Sequence, residues 1–281
     1  MRHKHLVICI VMIAFIMSLV PIAASHGTAS AAVVAYLYQN RGFDMCNTPS
    51  SAHLDTWWSS SPYFFVGVYL GGTTYANQGC SNANLTSSWV THNTNTGWGV
   101  LLIWDGKQAS CSTDANATKM SSDESTAYSE GKSAADSASS AASGLGFGSG
   151  VPIFYDMEAF DYHNSTCLHA AKKYMDGWDD ELVPTPFIGA MYGSACGTDM
   201  TDFAGITDPP VDAFLADWNG TYDVFSVGCV PDSDWNSHQR VHQFLGGVSR
   251  TYGGLTLNPI DLDCARTYLA AKQAYGTDCN Y

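Results

Sequence analysis

Eight short apolar runs, mostly separated by stretches of helical spacing, limit how this chain can fold more than any other feature. The runs are Arg41–Asp44, Tyr63–Tyr69, Gly97–Trp104, Val151–Asp156, Pro186–Tyr192, Ala213–Trp218, Arg240–Phe244 and Leu257–Leu262. Helices are expected over Leu54–Ser59, Asn84–Thr91, Asp123–Ser143, Ser165–Leu182, Asp199–Ile206 and Cys264–Tyr275. Strands that alternate with helices pair in parallel, because each helix carries the chain back across the sheet. Eight strands suffice to close a cylinder, so the expected fold class is α/β: a single (β/α)8 TIM-type barrel, with functional groups at the C-terminal strand ends. An open doubly wound sheet is the competitor. It often carries a glycine-rich loop after its first strand, and here that position reads Asp44-Met45-Cys46-Asn47.

The stretch Ser121–Gly150 is rich in Ser, Ala and Gly, and composition alone would make it a linker. However, Ala134, Ala138, Ala141, Ala142 and Leu145 recur at i, i+4, i+7, i+8 and i+11, which predicts a helix. Its small-residue stripe would let it lie close against a sheet. Ser121 with Glu124 offers a capping box, and Gly144 and Gly146 stand where such a helix ends.

Arg2 and Lys4 precede an apolar run from Leu6 to Val20, and Ala29-Ser30-Ala31 follows as a cleavage site. This pattern predicts a signal peptide over residues 1–31, leaving 32–281 as one barrel domain in a secreted protein. The apolar run is shorter than the roughly 20 residues a membrane-spanning helix needs. Cys9 leaves with that leader. The other eight cysteines (Cys46, Cys80, Cys111, Cys167, Cys196, Cys229, Cys264 and Cys279) form an even set, which in an exported chain predicts disulfides. Proximity in the chain suggests Cys264 with Cys279 and Cys80 with Cys111. No C-x-x-C pair, H-E-x-x-H or G-x-S-x-G occurs, which argues against a metal centre and a serine nucleophile. Without Arg2 and Lys4, 10 basic residues face 26 acidic ones, a net charge of −16. Nucleic acid and anionic membranes are poor partners for such a chain, whereas a neutral polysaccharide is compatible with it. No membrane association is expected after leader cleavage, and a monomer is expected.

The most informative segment is Val151-Pro152-Ile153-Phe154-Tyr155-Asp156-Met157-Glu158. Residues two apart on a strand share a face. Val151, Ile153, Tyr155 and Met157 should face the covering helices, with Asp156 and Glu158 pointing together into the barrel mouth. Neighbouring carboxylates in a confined site raise each other's proton affinity, which is what a general acid needs near neutral pH. A solvated strand end that caps the next helix is the bland alternative. Other predicted strand ends supply Asp44, Asp217 with Trp218, Gln243 and Asp261, together with the aromatic Tyr69, Trp104 and Tyr192. Carboxylates handle protons and hydroxyls while flat rings cover pyranose faces, so this mixture suits a sugar site.

Several segments carry a family resemblance. They are Gly42-Phe43-Asp44, Asn84-Leu85-Thr86 with Trp89-Val90, Gly97-Trp98 leading to Lys107-Gln108-Ala109, and the small-residue helix around Gly131 to Gly146. Ile153 to Glu158, Leu215-Ala216-Asp217-Trp218, His242-Gln243-Phe244 and Ile260-Asp261-Leu262-Asp263 complete the set. In this order they resemble the exported glycoside-hydrolase-like family related to the family 25 lysozymes, which cut the N-acetylmuramic acid to N-acetylglucosamine bond of peptidoglycan. The resemblance implies Glu158 as proton donor and Asp156 as the group that orients or charge-stabilises the reacting sugar, with Asp44 and Asp261 completing the acidic floor. Tyr69, Trp104, Tyr192, Asp217, Trp218 and Gln243 would bind substrate. No cofactor is implied, because protonation and water attack suffice. Two departures stand out: His242-Gln243-Phe244 replaces the usual Trp-Gln-Tyr, and Asp263 stands where Asn is common. Many members of the family have no demonstrated turnover, so a barrel that binds cell-wall glycan without cutting it is the second reading. Carboxyl spacing on one strand admits both inverting and retaining outcomes.

Overall fold

The computed structural model describes residues 31–276 and Cys279; the leader expected at 1–31 lies outside the described residues except for Ala31. Eight strands close a barrel in chain order: β1 (Val34–Asp44), β2 (Phe65–Gly71), β3 (Gly99–Trp104), β4 (Pro152–Met157), β5 (Ile188–Ser194), β6 (Asp212–Ala216), β7 (Arg240–Tyr252) and β8 (Leu255–Ala271). Outside them lie α1 (Ser51–Ser60), α2 (Ser87–Thr96), α3 (Glu124–Leu145), α4 (Ser165–Leu182) and the single turn α5 (Met200–Phe203). Among the described residues no helix is long and apolar enough to cross a membrane.

Strands β1 to β7 pair in parallel, and β8 closes the cylinder antiparallel to both β7 and β1. The expected helix over Cys264–Tyr275 is therefore wrong, because Cys264 to Ala271 continue β8. Ala265 and Leu269 lie four apart and both join the inner core. A spacing of four returns to the same face in a helix and in a strand, so it could not separate the two. The Gly253-Gly254 pair, at φ 56° and 81°, makes the two-residue turn between β7 and β8. That turn favours residues free to adopt positive φ.

Inside the barrel Tyr38, Phe65, Ile103, Phe154, Phe214 and Leu269 interdigitate. Glycine leaves room for them: a Cβ on Gly42 would sit 2.5 Å from the Phe65 ring, and one on Gly99 would sit 2.7 Å from Tyr38. Burying a large apolar side chain stabilises by roughly 1.5–3 kcal/mol, so this plug holds the cylinder shut beneath its mouth.

Helix α3 buries Ala127, Gly131, Ala135, Ala138, Ser139 and Ala142. The small-residue face serves α4 more than the sheet it was expected to meet. A Cβ on Gly131 would fall 2.0 Å from the Tyr174 carbonyl oxygen, and one on Gly177 would fall 2.1 Å from that of Tyr128. The two helices thus cross backbone to backbone. The cap differs too: Asp123 Oδ1, not Ser121, accepts from the Thr126 N–H at 2.8 Å. Gly146 ends the helix at φ 93°.

The cysteines pair as Cys46–Cys80, Cys111–Cys167, Cys196–Cys229 and Cys264–Cys279. The last pairing matches expectation, whereas Cys80 with Cys111 does not. Cys46–Cys80 and Cys196–Cys229 join neighbouring loops at the C-terminal ends of the strands, and Cys111–Cys167 ties the loop after β3 to the first turn of α4; the closed sheet rather than chain proximity decides which segments are neighbours.

Candidate active site

Strand β4 sorts its side chains as alternation demands. Tyr155 faces outward, its ring 5.1 Å from Tyr174 and 5.0 Å from Trp178 on α4. Phe154 faces inward, 5.9 Å from Phe214. Asp156 follows on the inner side and is buried; Glu158, just beyond the strand, reaches solvent at the mouth.

Across the barrel, Asp44 of β1 pairs in register with Asp261 of β8, and Gly42 pairs with Asp263. All three carboxyls therefore share the inner face. A Cβ on Gly67 would lie 2.5 Å from the Asp44 Cβ, so the glycine on β2 opens the space this acid occupies. Gln243 of β7 organises the floor. Its Nε2 donates to Asp44 Oδ2 at 2.8 Å, while its Oε1 accepts from the Tyr192 hydroxyl at 3.1 Å and from Trp218 Nε1 at 2.9 Å. Asp261 Oδ1 accepts from the Gly247 N–H at 2.6 Å.

A second amide fixes the other side. Gln108 Nε2 donates to the Asp156 carbonyl at 2.7 Å and to Asp105 Oδ1 at 3.2 Å, while its Oε1 accepts from the Glu158 N–H at 2.8 Å. The backbone that carries both acids is thereby tied to the loop after β3. Asp105 and Gln108 are buried and were not singled out from sequence as site residues. Strand alternation was the available signal: Leu101 and Ile103 point inward, so Asp105 does as well.

The same alternation turns Trp104 outward. It packs against the outer core and lines a separate cavity of about 370 Å³ beside α3, with Lys107 and Glu130. The structure thus places Trp104 away from the mouth, contrary to its expected position. Asp217 borders the mouth, but its Oδ2 accepts from the Gly228 N–H at 2.8 Å and from Asn219 Nδ2 at 3.0 Å, which staples the following loop. Asp44, Tyr69, Asp156, Glu158, Tyr192, Trp218, Gln243 and Asp261 come together.

Burial and mutual repulsion push these carboxyls upward. Asp156 lies well above the usual range through burial, then through the charges of Glu158, Asp105 and Asp44; the Tyr69 hydroxyl pulls the other way. Asp44 is raised by burial and by Asp261, and Asp263 by burial and by Asp44 and Asp261. Asp105 is pushed up to about 7, first by burial and then by Glu158. Glu158 is raised by desolvation against the cleft wall and by the charges of Asp114 and Asp261. Burial and like charge thus raise the proton affinity of the carboxyls at this mouth, the property a general acid needs.

A cleft of about 370 Å³ opens beside Glu158, lined also by Tyr192, Ser194, Cys196, Asp217 and Trp218. The Trp218 ring is 62% exposed and lies over Gly246, where a Cβ would come to 2.3 Å of it. Among the described residues no group of three or more His, Cys, Asp or Glu is arranged to hold a metal ion.

Comparison with known proteins agrees with this architecture. The chain is similar to the solved structure of the Tat-secreted protein Rv2525c of Mycobacterium tuberculosis, in complex with L-tartrate. The two share 14% identity over 81% of this chain and 95% of that one, with a TM-score of 0.53. It is also similar to an uncharacterized protein of B. stearothermophilus, at 18% identity over 80% and 95% of the two chains and a TM-score of 0.50. None of the curated proteins compared matches it. The family model for the Rv2525c-like, glycoside hydrolase-like domain matches residues 55–265, which include Asp156, Glu158, Gln243 and Asp261. On that match, the chain belongs to the family of Rv2525c-like glycoside hydrolase-like domains.

Proposed function

We propose that this protein is an exported glycoside hydrolase that cuts glycosidic bonds in peptidoglycan or a related cell-wall polysaccharide. The observation that carries the reading is Glu158 itself: a carboxyl with raised proton affinity, open to an aromatic-edged cleft, on a backbone locked by Gln108. Glu158 protonates the glycosidic oxygen as the C–O bond breaks. The surrounding carboxyls stabilise the oxocarbenium-like charge on the sugar, and water supplies the hydroxyl that completes hydrolysis. Asp156, whose Oδ1 is buried without a hydrogen-bond partner, orients the reacting sugar or its N-acetyl group. Asp44 and Asp261 complete the acidic floor. The Trp218 face stacks on a pyranose ring, and Tyr192, Tyr69 and Gln243 shape the floor beneath it. The four disulfides and the leader pattern of residues 1–31 support export.

The test is digestion of purified peptidoglycan, with new reducing ends counted for the native protein and for Glu158→Gln. Release by the native protein alone supports the reading. Equal release by both removes Glu158 from the acid role, and wall binding by both without release turns the barrel into a glycan-binding module.

A further inference from the structure

On the outside of the barrel, the cavity of about 370 Å³ that Trp104 lines opens between α3 and the loops after β2 and β3. Its size lies within the roughly 300–1,000 Å³ of small-molecule sites. None of its lining residues lines the cleft beside Glu158. One wall is the half-buried Trp104, turned away from the mouth by strand alternation. Another is α3, which presents the exposed Ser129, Ser133 and Ser137, each about 6 Å further along the helix axis. Lys107 and Glu130 also line the groove, with Nζ 2.7 Å from Oε1. Their side chains are 31% and 21% exposed, so both can be reached from solvent.

The polar groups of this groove ask for a particular ligand. Each serine donates its one hydroxyl proton to a carbonyl a turn earlier: Ser129 to Ser125 at 3.1 Å, Ser133 to Ser129 at 3.0 Å and Ser137 to Ser133 at 2.9 Å. Their remaining lone pairs are left to accept. Lys107 has three N–H donors, of which Glu130 takes one. The other Glu130 oxygen accepts the Ser121 N–H at 2.9 Å, which holds the ion pair in place. The pair is electrically neutral, and the net charge of −14 on the whole chain disfavours an anion. A purely apolar ligand would strip water from the serine oxygens and the ion pair without replacing its hydrogen bonds. A pyranose answers both needs. Its C–H face covers the indole ring, while its hydroxyls donate to the serine oxygens and Glu130 and accept from Lys107.

We propose that this groove is a second glycan-binding site, which holds a neutral oligosaccharide strand along α3. One pyranose stacks on Trp104, and its neighbours hydrogen-bond to Ser129, Ser133 and the Lys107–Glu130 pair. Groove and mouth lie on opposite sides of one loop: Lys107 lines the groove, while Gln108 accepts the Glu158 N–H at 2.8 Å. Binding in the groove needs no turnover at Glu158.

The test is titration of Glu158→Gln protein, in which the sugar stays uncut, with chitotetraose, followed by the amide shifts of Gly106 and Ser129. Tetragalacturonate and n-hexanol serve as anionic and apolar controls. Saturable shifts at both amides are expected for chitotetraose, with affinity weakened at least about tenfold when Trp104→Leu removes the stacking ring. Ser133→Trp fills the groove from an exposed helix position and leaves Trp104 in place; it should weaken binding as much, and it keeps the test open if Trp104→Leu fails to fold. Adding Trp218→Ala, which strips the mouth, should leave both shifts as they were, so the groove and the hydrolase reading are tested separately. Equal affinity with and without Ser133→Trp, loss of the shifts on adding Trp218→Ala, either control binding as tightly as chitotetraose, or no saturable shift would each overturn the proposal.

Discussion

Replacing Asp212 by Asn should stabilise this protein at alkaline pH and leave it nearly unchanged at acidic pH. Asp212 opens β6 and is 3% exposed, in the inner layer beneath Phe214. Burial pushes its carboxyl from 3.8 up to about 7, with Thr267 offsetting part of the effect. The folded state therefore holds this proton more tightly than the unfolded chain, so stability is fully present below about pH 4 and falls as pH rises to about 7. A displacement of roughly three pH units at 1.36 kcal/mol each corresponds to about 4 kcal/mol lost above pH 7. Asn keeps the volume and cannot ionise. Urea unfolding of both proteins at pH 4.5 and 8.5 reads the difference of differences. Relative to its offset at pH 4.5, the variant should gain about 2–4 kcal/mol at pH 8.5. An offset that is the same at both pH values would refute the reasoning, because Asp212 would then titrate alike in the folded and unfolded chains.

Other expected outcomes follow from particular contacts. Gly131→Ala places a Cβ against the Tyr174 carbonyl oxygen, 2.0 Å away in the present backbone, and should cost about 1–3 kcal/mol in chemical denaturation. Gln243→Leu strips Asp44 of its amide donor and frees Tyr192 and Trp218, so glycan release should fall about 10²-fold while the fold survives in circular dichroism. Trp218→Ala removes a ring that is 62% exposed; it should weaken glycan binding by about 1 kcal/mol and leave stability within about 0.5 kcal/mol. Because Glu158 must carry its proton, glycan release should decline as pH rises through its raised range, and moving Asp114 to Asn should shift that decline to lower pH.

The barrel was legible in the sequence because strands and helices differ in period, and it failed where the periods coincide. Ala265 and Leu269 satisfy both patterns, and the signal that separates them is the Gly253-Gly254 pair, whose positive φ angles make a hairpin turn. Position at strand ends identifies the acids, and side-chain parity decides which of the strand-end residues face the mouth. Extended to β3, the alternation of Leu101 and Ile103 places Asp105 inside and Trp104 outside. The roles of Gln108 and Gln243 were illegible for another reason. Each joins strands or loops distant in the chain, so its partners exist only once the cylinder has closed. Disulfide pairing failed on the same ground for Cys80, since Cys46 and Cys111 are about equally far from it along the chain.

General acid catalysis by Glu158 is read most directly by leaving-group dependence, using aryl glycosides with good and poor leaving groups and the Glu158→Gln protein. A poor leaving group needs the proton, so its hydrolysis should drop about 10²–10⁴-fold in the variant, while a dinitrophenyl leaving group should lose far less. Equal losses on both substrates would contradict the account.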